Sequence, residues 1–248
     1  NQGKGSAVDL ATEEQVRRAY QVAVSFFDDI MVEKFLSGHD WRLLVIGDKL
    51  IAAARRDPPL VIGDGRHTVR QLVDIVNSDP RRSDGHATSL TKIRFDEIAL
   101  SRLEEQGYTA DSVPGRGVRV VLRNNANLST GGTATDVTDD VHPELAAAAV
   151  AAAQTVGLDI CGIDVVCDTM HKPLEEQGGG IVECNAAPGL RMHLDPSFGK
   201  GRAVGEAIVG MMFPDGDNAR IPVVAIAGTN GKTTTSRLIG RIFESNGL

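Results

Sequence analysis

Gly228-Thr229-Asn230-Gly231-Lys232-Thr233 has the residue types and spacing of a phosphate-binding loop. The apolar run Val223 to Ala227 before it reads as a buried strand, and a helical pattern opens at Lys232-Thr233. A strand, a glycine turn and a helix N-terminus together aim backbone N–H groups and a positive helix end at an anion. Gly228, Asn230, Gly231 and Thr234 are expected to border a bound nucleotide; Lys232 neutralises its β/γ-phosphates and Thr233 ligates magnesium. Ile226 stands where the usual pattern has its first glycine.

A second constellation lies earlier. Glu183 and Asn185 are two apart in the strand-like run Ile181 to Asn185, so both side chains point to one face. Asp164 lies in the neighbouring run Cys161 to Cys167. Two carboxylates and an amide oxygen are hard ligands suited to magnesium bridging nucleotide phosphates. Polar residues on an open strand face are also commonly just solvated, and spacing alone does not separate the two readings. Arg42 and Arg56 offer bidentate clamps for phosphate or carboxylate, or are ordinary surface arginines. Arg123 precedes a small, polar loop, Asn124 to Thr135, able to approach a ligand closely. Asn1 to Ser6 reads as a glycine-containing flap or a turn, and His193 as a catalytic or a structural imidazole.

Regular elements are needed to position these groups. Capping-box spacing at Thr12-Glu13-Glu14-Gln15 and at Thr68-Val69-Arg70-Gln71 starts two helices, the second running to about Val76. Ile30 to Leu36 reads as a strand, and Arg42 to Ile46 with Lys49 to Ala54 as a hairpin about Gly47-Asp48. Asn77 to Thr91 reads as an exposed loop, Val118 to Arg123 as a short strand, and Arg202 to Met212 as a helix. Pro143 suits the first turn of an alanine-rich helix that Gly157 ends. Breakers in Phe213 to Asn218 mark a domain boundary.

Composition narrows the classes. A net charge of -7 and 4% aromatic residues argue against nucleic-acid binding. No apolar run approaches a membrane span and no secretory signal opens the chain, so a cytoplasmic place is expected. Cys161, Cys167 and Cys184 sit in apolar segments and read as reduced core residues. Loop composition at Asn1 and an abrupt stop at Leu248 point to a piece of a longer enzyme, unable by itself to complete a reaction.

The order of segments resembles the ATP-grasp ligases, from the flap through Val32-Glu33-Lys34-Phe35 and Gly38-His39-Asp40-Trp41-Arg42 to Gly162-Ile163-Asp164-Val165 and Ile181-Val182-Glu183-Cys184-Asn185. That resemblance implies an α+β fold of mostly antiparallel sheets over 1–213. It gives Lys4 and Gly5 a flap role, and Glu33, Lys34 and Phe35 a hinge holding adenine and ribose. Asp164, Glu183 and Asn185 become magnesium ligands, and Arg42 and Arg123 catalytic residues. Asn127, Ser129, Thr130, Gly131, Gly132 and Arg191 become substrate-binding residues. After a linker over 214–221, Ala227 to Thr234 resembles the ATP loop of Mur-type peptide ligases, which accounts for Ile226 and makes 222–248 the start of an α/β domain. The two in this order resemble ligases that use ATP and magnesium twice. That resemblance implies a first site that adds L-aspartate to the C-terminus of the poly-aspartate backbone of a peptide primer and a second that adds L-arginine to the new β-carboxylate, in a homo-oligomer. Another ATP-grasp peptide ligase with an appended P-loop, or a non-catalytic nucleotide-binding remnant, are the alternatives.

Overall fold

The computed structural model describes residues 7, 10–84, 88, 90–215, 217, 220, 221 and 223–247. The chain divides into two compact units, Asn1–Met211 and Met212–Leu248. In chain order the elements begin with α1 (Glu13–Val24), β1 (His39–Ile46), β2 (Lys49–Asp57), β3 (Leu60–Ile62) and α2 (Val69–Asn77). Then come β4 (Arg82–Ser83), β5 (Leu90–Thr91), α3 (Glu97–Glu105), β6 (Arg119–Val121) and β7 (Thr133–Asp136). They continue with α4 (Pro143–Val156), β8 (Ile160–Cys167), β9 (Gly180–Ala186), α5 (Arg191–Leu194) and α6 (Val204–Met212). The second unit holds α7 (Lys232–Ser245).

One five-stranded sheet, ordered β7-β2-β1-β8-β9 with every pair antiparallel, forms the frame. Strand alternation sorts its residues between two faces. Trp41, Leu43 and Val45 of β1, with Cys161, Ile163 and Val165 of β8, pack beneath Leu145, Ala149 and Ala153 of α4. Alanines on that helix let it sit close to the sheet. Pro143 occupies its first turn and Gly157, at φ 78°, closes it in the left-handed conformation, where a side chain would be strained. The opposite face is divided along its length. Leu44, Ile46 and Ala52 are covered at one end by Val204, Ala207, Ile208 and Met211. At the other end β1, β2 and β8 carry Asp40, Arg42, Arg56 and Asp164, four charged residues in adjacent register. A separate cluster joins the β3–β6 ribbon to α2 and α3 through Val61, Leu72, Val73, Leu103, Val120 and Leu122.

Both capping boxes form: Thr12 accepts from the Gln15 amide and Thr68 from the Gln71 amide, with each glutamine side chain returning the bond. The hairpin about Gly47 also forms, with strands longer than expected. Three expectations are corrected. Ile30 to Leu36 is not a strand, and Met31 and Val32 are 79% and 80% exposed. Alternating residue types make a strand only where a neighbour supplies a ladder, and among the described residues none pairs with this run. Val223 to Ala227 likewise has no strand partner among the described residues, and Val223 is 83% exposed, so the expected buried strand is absent. Asn77 to Thr91 is more than an exposed loop: Arg82–Ser83 pairs in parallel with Leu90–Thr91, and Leu90 and Thr91 are buried.

Candidate functional site

The charged end of the sheet face is built around Asp164. Arg42 lies directly across the β1–β8 ladder and grips Asp164 with two nitrogens: its Nε donates to Oδ1, and its Nη2 to Oδ2 at 3.1 Å. From the far side Arg56 brings its Nη2 to 3.2 Å from Oδ2. The three side chains are largely buried, so these ion pairs act where screening is weak. Gly162 makes room for them: a Cβ there would lie 2.7 Å from Pro188 Cβ and 3.1 Å from Arg42 Nη1. Asp40, two residues before Arg42 and therefore on the same face, shares the cluster. Its pKa is raised, chiefly by burial; Arg56 opposes the rise and Asp164 adds to it.

Glu183 pairs directly with Asp164 on the adjacent strand. Like charges at such positions repel. The two arginines offset Asp164, but Glu183 has no ion pair or hydrogen bond among the described residues. Asn185, on the same face, donates its Nδ2 to the Gly162 carbonyl at 3.3 Å, which leaves its Oδ1 an open acceptor among the described residues. Glu183, Asn185 Oδ1 and the remaining lone pair of Asp164 therefore form a hard-oxygen set with an unneutralised charge, which fits a divalent cation. Among the described residues no group of three or more His, Cys, Asp or Glu is placed to hold a metal ion. The third donor of this set is an amide.

His193 of α5 is 2% exposed, and its Nε2 has no hydrogen-bond partner among the described residues. Burial first, and then the Arg42 guanidinium, push its pKa down to about 4 against the opposing pull of Asp136, so the imidazole is neutral near pH 7. Asp136 in turn is held by Arg202 at 2.5 Å and by Thr138.

The loop from Asn127 to Gly132 is anchored at one apolar point, Leu128, which packs with Ala54 of β2, Ala134 of β7 and Met192 of α5. The Asn127 carbonyl accepts from the Thr130 and Gly132 amides at 3.1 and 3.2 Å. Gly131 sits at φ 101°, where a Cβ would meet Ile93 Cα at 2.7 Å; one at Gly132 would lie 2.8 Å from the Asp57 carbonyl. Arg191 reaches away from the Asp164 cluster, donating to the Thr88 carbonyl at 3.1 Å and to Thr91 Oγ1 at 3.2 Å. Arg123 is buried and pairs at 2.5 Å with Asp96, which also caps α3. That ion pair ties Arg123 to the β3–β6 cluster rather than to Asp164.

Glu33, Lys34 and Phe35 lie in the exposed run before β1, next to Leu36, whose Cδ1 is 2.9 Å from where a Gly180 Cβ would stand. Lys4 and Gly5 fall outside the described residues. In the second unit Gly228 and Gly231 take φ 146° and 81°, and α7 starts without a side-chain cap. Lys232 folds over the loop, its Nζ donating to the Gly228 and Thr229 carbonyls at 2.6 and 3.2 Å. Thr233 and Thr234 are exposed at this helix start. Asp40, Arg82 and the Arg202–Asp136 pair went unsingled in the sequence. For Asp40 a signal existed: strand parity places it beside Arg42.

The antiparallel sheet with this polar face, roofed on the other side by a helix, belongs to an ATP-grasp-like fold, as its likeness to a solved ligase shows. A bifunctional glutathione synthetase from Pasteurella multocida superposes with a TM-score of 0.64 at 36% identity, over 83% of this chain and 28% of that one. More particularly, the chain resembles cyanophycin synthetase over its entire length. It is 48% identical to the Crocosphaera subtropica enzyme and 46% to that of a Nostoc species, with 100% of the chain covered in both. It spans 29% and 27% of those two relatives. A glutathione biosynthesis bifunctional protein from Mannheimia succiniciproducens is 40% identical over 80% of the chain and 26% of its own length. No protein-family model matches. Among the described residues no helix is long and apolar enough to cross a membrane.

Proposed function

We propose that this chain carries an ATP-dependent, aspartate-adding ligase site of the cyanophycin synthetase type, followed by the phosphate loop of an arginine-adding, Mur-type site, in a cytoplasmic enzyme. The observation that carries the reading is the unneutralised Glu183 beside Asp164 and the open Asn185 Oδ1. A full-length match to the cyanophycin synthetases, P-loop segment included, supports the two-site form.

Asp164, Glu183 and Asn185 would hold magnesium, which offsets the charge of the nucleotide phosphates and the γ-phosphoryl in flight. Arg42 and Arg56 hold the Asp164 carboxylate in place between them. Arg42 Nη1, free of hydrogen bonds among the described residues, is available to an incoming oxyanion. A substrate carboxylate oxygen attacks the γ-phosphorus, the bond to the β-phosphate oxygen breaks, and ADP leaves. An amine nitrogen then attacks the resulting acyl phosphate; phosphate departs with the C–O electron pair and the amine loses a proton. Positioning and electrostatics suffice for this chemistry, so no side-chain nucleophile is assigned. Lys232 and the uncapped start of α7 would receive the phosphates of a second ATP.

The test measures incorporation of labelled aspartate and arginine into a cyanophycin-like primer by the complete polypeptide. Glu183→Ala is expected to abolish aspartate addition, and Lys232→Ala arginine addition. Unchanged incorporation in both variants would overturn the two-site assignment.

A further inference from the structure

Five residues on the polar face of the sheet share one register row. Asp136 of β7 lies opposite Ala54 of β2, Ala54 opposite Arg42 of β1, Arg42 opposite Asp164 of β8, and Asp164 opposite Glu183 of β9. Arg42 thus has a carboxylate to each side. Asp164 is on the next strand, and Asp136 is two strand spacings away, about 10 Å along the sheet. Between Asp136 and Arg42 stands only the methyl of Ala54, which leaves a gap above it. The short helix α5 covers that gap. It packs on β2 and β7, with Met192 against Ala54 and Ala134. Arg191 ties it to Thr88 and Thr91, and the Arg202 amide donates to the His193 carbonyl at 2.8 Å. His193 is buried, and its imidazole feels the charges of both Arg42 and Asp136, which places the ring between them.

A buried ring nitrogen without a hydrogen bond is costly, so its retention calls for a reason. Support of Asp136 is not the reason, because Arg202 and Thr138 already hold that carboxylate. What the ring offers is a flat, neutral wall, the kind of surface a guanidinium plane rests against. The opposite wall is Gly162, where a Cβ would lie 3.2 Å from Arg42 Cδ, so the arginine stem leans toward β8. Between these walls Arg42 grips Asp164 through Nε and Nη2 and keeps Nη1 in reserve. With the ring gone, Asp136 would compete for the guanidinium across Ala54. A shared Arg42 would then present neither its fork to Asp164 nor Nη1 to an oxyanion. We infer that His193 is a positioning residue: seated over Ala54, it separates Arg42 from Asp136 and keeps Arg42 aimed at Asp164 and at the oxyanion that reacts beside it. The inference rests on the ligase reading above, in which Arg42 Nη1 meets an oxyanion, and adds the residue that sets its aim.

The test measures kcat and the KM for ATP in aspartate addition by the complete polypeptide. His193→Ala opens the gap and is expected to lower kcat about tenfold, one misaimed charge-assisted contact. The KM for ATP should move less than about twofold, because Arg56 still holds Asp164. Removing the competing carboxylate as well, in His193→Ala/Asp136→Asn, should bring kcat back to within about threefold of wild type. A merely structural ring would give no such recovery, since Asp136→Asn also weakens the Arg202 contact. His193→Gln, planar and neutral, should likewise stay within about threefold of wild type. If His193→Ala fails to fold, His193→Val takes its place, and rescue by Asp136→Asn decides the matter. Wild-type kcat in the gap-opening variant, or a low kcat that Asp136→Asn does not raise, overturns the positioning role and leaves the ligase reading standing. Wild-type protein that adds no aspartate overturns both.

Discussion

Acidification to about pH 4.5 should destabilise this chain through a single imidazole, His193. An unperturbed histidine titrates at 6.5, and in the folded chain His193 is pushed to about 4 by burial and by Arg42. Between those values the unfolded chain carries a proton that the folded chain lacks, so unfolding takes up a proton and acid favours it. Stability from this group is complete above pH 6.5 and declines as pH falls toward 4. The full gap corresponds to about 3 kcal/mol at roughly 1.4 kcal/mol per pH unit, and the portion between about pH 7 and about pH 4.5 to roughly 2 kcal/mol. His193 is 2% exposed, so little solvent screening reduces that figure. Urea unfolding at the two pH values, on wild type and His193→Gln, isolates the effect, because carboxylate titrations are common to both. The variant is expected to lose about 2 kcal/mol less than wild type over that interval. Equal losses in the two proteins would refute the neutral, unpartnered state assigned to this ring.

Two further substitutions test the frame of the site. Gly162→Ala places a methyl 2.7 Å from Pro188 Cβ, on a ring that cannot rotate away, and should cost about 1–3 kcal/mol by urea unfolding. Arg202→Gln strips Asp136 of its main partner. Burial alone would raise the Asp136 pKa, but bonds from Arg202 and Thr138 prevail and hold it below 3.8, so this contribution exists above that pH and fades as pH falls further. The variant should therefore be less stable by about 2–3 kcal/mol near neutrality, with the deficit shrinking in strong acid.

Elements whose signals are local were legible in the sequence. Thr12 and Thr68 announce their helices because a capping box closes within four residues. Pro143 and Gly157 bracket α4 for the same reason. Glu183 and Asn185 could be set on one face from parity alone, whereas the alignment of Asp164 with Glu183 is a matter of β8–β9 register, which spacing does not carry. Ile30 to Leu36 and Val223 to Ala227 misled because apolar, β-branched composition is shared by a paired strand and an unpaired extended run. Pairing across long stretches left no local trace: Arg202 meets Asp136 across 66 residues, and Arg191 meets Thr88 across 103. Arg123 was read from its neighbours in sequence, whereas its partner Asp96 is 27 residues away.

β9 is an edge strand of the sheet and supplies Glu183 and Asn185, whereas Asp164 belongs to β8, which has neighbours on both sides. An edge strand opens more readily than an interior one, since only one ladder must break. Any cation shared by the two strands thus acts as a rivet at the margin of the sheet, gripping one ligand from its firmest part and two from its loosest.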